Sequence, residues 1–159
     1  MIFKSRVFPF CFLMAIFACT SALAQNVKVS DAWARSTVQG QKASGAFMTL
    51  TSDQPVKLIG VSAAVAGVAQ IHEMKMDGNV MKMAPVNALD LPAGQAVALK
   101  PGGFHVMLMD LKAPLSKDSQ VDLTLTFQDA KGKNFTQTVQ AKVGTQAPMA
   151  SDAAHEHMH

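Results

Sequence analysis

Between Gln25 and Val143 apolar and polar residues alternate with a period of two, and turn-forming residues interrupt the alternation at short, regular intervals. Helices would instead repeat their apolar positions every three to four residues, so the pattern predicts an antiparallel β sandwich or barrel. Nine strands are expected, at residues 27–33, 43–51, 56–62, 69–76, 80–85, 96–99, 104–111, 121–128 and 135–143. The division is cleanest in the eighth. There Val121, Leu123, Leu125 and Phe127 share one face and Asp122, Thr124 and Thr126 the other, so one face meets a core and the other water. No segment offers a long amphipathic helix.

The first 24 residues follow a different pattern. Lys4 and Arg6 precede a short apolar run from Val7 to Cys19, and Ala22-Leu23-Ala24 supplies the small-x-small sequence that a signal peptidase accepts. The run contains Pro9 and falls short of the roughly 20 residues that span a bilayer as a helix. A signal peptide of residues 1–24, cleaved after Ala24, is therefore expected, with no membrane insertion of the mature chain. A lipoprotein acylated at Cys19 is the alternative, and the bulky Phe17 argues against it.

Cleavage changes the composition that matters. Losing Lys4 and Arg6 leaves 12 basic residues against 11 acidic ones, so the formal charge falls from +3 to +1 and no electrostatic case for nucleic acid remains. Cys11 and Cys19, the only two cysteines, leave with the leader. The mature chain then has neither a disulfide nor a thiolate, and any metal chemistry must use other ligands. Residues 25–144 are long enough for one β domain and too short for two ordinary ones. Residues 145–159, small and polar and closing on His155-Glu156-His157-Met158-His159, are expected to form a flexible tail.

Eleven methionines is a high count for 159 residues. Met74, Met76, Met81, Met83, Met107 and Met109 fall in two strand segments, which also hold His72 and His105, the only histidines outside the tail. Any one of these methionines can be read as a flexible filler of core gaps. Their spacing suggests more. If Asp77-Gly78 forms a two-residue hairpin turn, Met76 faces Asn79, Met74 faces Met81, and His72 stands directly across from Met83. Opposed residues hold their Cβ atoms about 4.5–5.5 Å apart, near enough to share an ion. His105 and Met107, two apart on a strand, project from one face about 6.6 Å apart.

His72, Met83, His105 and Met107 thus make a set of four neutral soft or borderline donors. Thioethers suit Cu(I), and the set has no charge to compensate a hard dication. Calcium and magnesium want oxygen ligands, and zinc is normally held by cysteine, histidine and carboxylate. A blue-copper centre needs a cysteine that the mature chain lacks.

His72, ten residues, Met83, twenty-one residues and His105-x-Met107 together resemble the H(M)X10MX21HXM signature of the periplasmic PCuAC copper chaperones. The resemblance extends to Asp31-Ala32-Trp33-Ala34-Arg35, Gly45-Ala46-Phe47, Ile71-His72-Glu73-Met74, Pro101-Gly102-Gly103-Phe104-His105 and Leu123-Thr124-Leu125-Thr126-Phe127. It implies a cupredoxin-like Greek-key β barrel or sandwich that carries Cu(I) in the periplasm. The implied task is delivery for copper-centre assembly, above all in cytochrome c oxidase. The implied partner is a copper-receiving oxidase subunit or another periplasmic copper chaperone, and a monomer is expected. Members with a His- and Met-rich C-terminal extension bind a second copper there, often as Cu(II). Here His155, His157, Met158 and His159 would supply that site, in keeping with the metal affinity of histidine-rich tracts.

Other residues have plainer expectations. Trp33 reads as core, and Arg35 as a clamp on a loop or carboxylate. Met74, Met81 and Met109 read as packing beside the site, and Gly102 and Gly103 as a turn or bulge that aims His105. Storage of copper without delivery uses the same ligands and is the alternative task. An enzyme is not indicated, because no nucleophile stands in a recognisable motif and no glycine-rich phosphate loop is present.

Overall fold

The structure, a computed structural model, describes residues 26–146. Ten strands run in chain order: β1 (Val27–Arg35), β2 (Ala43–Ser52), β3 (Val56–Ala63), β4 (Ala66–Asp77), β5 (Val80–Pro85), β6 (Leu89–Leu91), β7 (Ala96–Leu99), β8 (Phe104–Leu111), β9 (Gln120–Asp129) and β10 (Asn134–Gly144). All nine expected strands are present. The additional one, β6, is only three residues long, too short for its alternation of buried Leu89, exposed Asp90 and buried Leu91 to stand out in sequence.

The strands form one sheet in the order β5-β4-β8-β2-β1-β10-β9-β3-β6, with β7 also pairing with β2. Every pairing between named strands is antiparallel except β1 with β10. Strands β3 and β4 lie far apart in this order yet pack against each other, so the sheet folds over on itself and encloses a core. That core takes Met48 and Leu50 from β2, Leu58 from β3, Val106 and Leu108 from β8, and Val121, Leu123, Leu125 and Phe127 from β9. The alternation read in β9 is thus realised, and truncating a residue such as Phe127 to alanine would cost about 3–5 kcal/mol. The all-β class holds. Among the described residues no helix is long and apolar enough to cross a membrane.

One irregularity positions the site. In β1 the pairing with β2 shifts between Ser30 and Trp33, with Asp31 at a positive φ of 54°. The extra residue of such a bulge reverses which face the following side chains meet. Val29 is paired with the core residue Leu50, but Trp33 is paired with Phe47 on the opposite face. Trp33 is buried as expected, yet it lies outside the core cluster and faces away from it.

Candidate metal centre

The outward face of the sheet carries a row of side chains in register across five strands. Trp33 on β1 is paired with Phe47 on β2, His105 on β8 with His72 on β4, and His72 with Pro85 on β5. Phe47 bridges the two groups, with its ring centroid 4.6 Å from Trp33 and 6.4 Å from His105. The Arg35 guanidinium sits 5.9 Å above the Phe47 ring. Among the described residues it has no carboxylate partner, so its role is to cap an aromatic ring rather than to clamp an acid. Gly45 makes this packing possible, because a Cβ there would lie 2.8 Å from Phe47 Cζ.

The β4–β5 hairpin departs from its expected register. Its two-residue loop is Gly78-Asn79, closed by Asp77 opposite Val80, and not Asp77-Gly78. Gly78 has a φ of 63° at the first central position, while Asn79 is not among the positive-φ residues, the pattern of a type II′ turn. Met76 therefore faces Met81, Met74 faces Met83, and His72 faces Pro85 rather than Met83. Both turn sequences satisfy hairpin chemistry. The observed register pairs two sets of methionines where the expected one pairs a single set, and it joins Lys82 to Asp77. Moving the loop by one residue on each strand preserves parity, so His72, Met74, Met76, Met81 and Met83 still share a face.

His72 and His105 are cross-strand neighbours, with ring centroids 6.0 Å apart and exposures of 8% and 6%. His105 Nδ1–H donates to the Gly103 carbonyl oxygen over 3.0 Å. A carbonyl can only accept, so this bond fixes the proton of the neutral ring on Nδ1 and leaves the lone pair on Nε2. That nitrogen faces Met83 Sδ at 3.2 Å. Met83 reaches it across β4, which lies between β5 and β8. Two electron-pair donors are thus brought together with no proton between them.

Backbone geometry aims His105. Lys100-Pro101-Gly102-Gly103 closes with a 3.1 Å bond from Gly103 N–H to the Lys100 oxygen, with Gly102 at a φ of 81°. Proline followed by a positive-φ glycine is the sequence of a type II turn, as the expectation of a turn here required. The Gly103 carbonyl also accepts the Met74 backbone N–H at 3.2 Å, which ties the turn to the hairpin.

On the other ring, His72 Nε2–H donates to Gln70 Oε1 over 3.2 Å. His72 Nδ1 is buried without a hydrogen-bond partner. Burial, and secondarily the neighbouring His105, holds the His72 pKa below its ordinary value. The ring is consequently neutral at physiological pH, with an unused lone pair. Such an orphaned atom is costly unless something binds it.

Met107 follows His105 on the same face of β8, and its Cα partners are Gly45 and Gln70. It shares with His105 a cleft of about 210 Å³ that Met74 and Phe47 also line. Of the four predicted ligands, His72, Met83 and His105 cluster directly, and Met107 joins them through this cleft. Met109 lies further along β8, opposite Ala43 and Val68, away from the histidines. Among the described residues no group of three or more His, Cys, Asp or Glu gathers anywhere, so the donor set here is neutral and rich in sulfur. Such donors fit a soft monovalent ion and not a hard dication. Met74 lines the cleft, in keeping with its expected place beside the site, whereas Gln70 is a member that the sequence reading did not name. His155, His157, Met158 and His159 lie outside the described residues.

The fold and this cluster define a cupredoxin-like β domain with an imidazole–thioether cluster on the outward face of its sheet. The chain belongs to the LpqE-like family of candidate lipoproteins, whose profile matches residues 27–143. It is 33% identical over 107 residues to the candidate lipoprotein Lxx21020 of Leifsonia xyli subsp. xyli, covering 67% of this chain. It is 34% identical over 122 residues to the uncharacterized protein RP573 of Rickettsia prowazekii, covering 73% of this chain. The match spans only 64% and 65% of those two relatives' own lengths. Among solved structures, the copper-bound PCuAC domain from PmoF2 matches with a TM-score of 0.60 at 28% identity, over 79% of this chain and 97% of that domain. The Cu(I) form of DR1885 from Deinococcus radiodurans matches with a TM-score of 0.55 at 32% identity, over 80% of this chain and 83% of that one. These likenesses agree with the PCuAC resemblance and the cupredoxin-like class read from the sequence.

Proposed function

We propose that this protein is an exported copper chaperone that carries one Cu(I) bound by His72, Met83, His105 and Met107. The observation that carries the reading is the approach of His105 Nε2 to Met83 Sδ at 3.2 Å, beside the orphaned His72 Nδ1. The copper-bound PmoF2 domain and the Cu(I) form of DR1885 support the choice of metal. The protein transports the ion and does not turn over a substrate. Its compartment is the periplasm, reached through the leader, and the family's lipoprotein naming supports export.

Delivery is favoured over storage by the exposure of Met83, which is 48%. A ligand open to solvent can be replaced by an incoming donor from a recipient, whereas a store gains by enclosing its ion. The recipient in this reading is a copper-accepting subunit of cytochrome c oxidase or a second periplasmic chaperone. The carrier acts as a monomer, and the tail histidines hold a second copper as Cu(II). Loading with one Cu(I) equivalent and mixing with apo oxidase subunit tests the proposal. Transfer of that equivalent is expected, and retention by the carrier would favour storage.

A further inference from the structure

The β4–β5 hairpin sorts its side chains by chemistry. One face carries Glu73, Lys75, Asp77 and Lys82, joined by a 2.9 Å Lys75–Glu73 bridge and by the Lys82–Asp77 pair. The other carries Met74, Met76, Met81 and Met83, opposed as Met74 with Met83 and Met76 with Met81. Met74 is half-buried in the cleft beside His105, whereas Met81 and Met76, nearer the turn, are 47% and 63% exposed. Apolar side chains clustered at a sheet edge invite aggregation and add little to the stability of the fold.

Directly opposed side chains have Cβ atoms about 4.5–5.5 Å apart, and successive pairs on one face follow at about 6.6 Å. Methionine has three rotatable side-chain bonds, so neighbouring sulfurs in such a ladder can reach a common point. We propose that Met76 and Met81, with Met74, form a second soft-cation site on the hairpin, built from thioethers alone and binding Cu(I) without a histidine ligand. Three neutral sulfurs suit a soft monovalent ion and offer a divalent ion no compensating charge. No carboxylate shares their face of the hairpin, since Glu73 and Asp77 lie on the other.

The test is a titration of the chain from Gln25 to His159, labelled at the methionine methyl carbons, with silver nitrate as a redox-inert probe for Cu(I). The methyl signals of Met76 and Met81 should move together and saturate. Met76→Leu/Met81→Leu should bind one silver ion fewer while leaving the Met107 response unchanged. The buried Met48 methyl reports in the same spectra that the variant is folded. Met76 and Met81 signals that stay fixed in excess silver would overturn the proposal and mark this face as an apolar contact surface. Met107 and His105 report separately on the histidine site, so either assignment can fail while the other stands.

Discussion

His105 Nε2 and Met83 Sδ lie 3.2 Å apart across an intervening strand, with the imidazole proton held on the opposite nitrogen by the Gly103 carbonyl. Met83→Leu roughly keeps the side-chain volume while removing the sulfur. Its effect on the folding stability of the metal-free protein should stay below about 1.5 kcal/mol, as for other volume-conserving swaps. Cu(I) affinity, measured by competition with a chromophoric chelator, should fall by about tenfold or more, which is roughly 1.4 kcal/mol. Unchanged affinity would remove Met83 from the ligand set.

Gln70 touches no proposed ion but receives the His72 Nε2–H. Partners that orient a ligating histidine typically contribute about 10–100-fold to metal affinity. Gln70→Leu should therefore weaken Cu(I) binding within that range while leaving the stoichiometry at the histidine site intact. Competition titrations of the variant read both quantities.

The lowered pKa of His72 has a defined sign in folding. Burial, with a smaller contribution from His105, makes the native ring bind its proton less tightly than the unfolded one. The associated stability is fully present above the ordinary value near about 6.5 and is lost as pH falls from there through the native value. Metal-free protein should melt at a lower temperature at pH 5 than at pH 7.5. The difference should shrink in His72→Gln, and an equal difference in the variant would exclude His72 as its source.

Gly45→Ala places a Cβ 2.8 Å from Phe47 Cζ, and that ring is held between Trp33 and Arg35. Relief by a small ring movement is therefore restricted. Overpacking of this kind costs about 1–3 kcal/mol. Denaturant unfolding of the metal-free protein should show that loss, accompanied by a change in the His105 ring resonances because Phe47 packs beside them.

Strand existence was legible because period-two alternation directly records a sheet with one dry face, as Val121 to Phe127 show. The donor cluster was legible for a similar reason, since parity along β4, β5 and β8 puts His72, Met83, His105 and Met107 on one face for either two-residue turn. Register was not. Asp77-Gly78 and Gly78-Asn79 are both sound hairpin sequences, and choosing between them depends on which side chains then meet. The placement of Trp33 was hidden for another reason. A one-residue bulge at Asp31 reverses the facing of everything after it and leaves no mark on composition. The part played by Gln70 was also invisible, because a lone glutamine on a strand carries no signature of its partner.

Strand β5 is hydrogen-bonded to a single neighbour, whereas β8 is flanked by β4 and β2. An ion held by Met83 and His105 as proposed would fasten this edge strand to the interior of the sheet. Local opening of a sparsely packed element costs less than global unfolding. Fraying of β5 would withdraw the Met83 sulfur while leaving both imidazoles in place, so the residence time of an ion so held and the hydrogen-exchange protection of the β5 amides would be two readings of the same clasp.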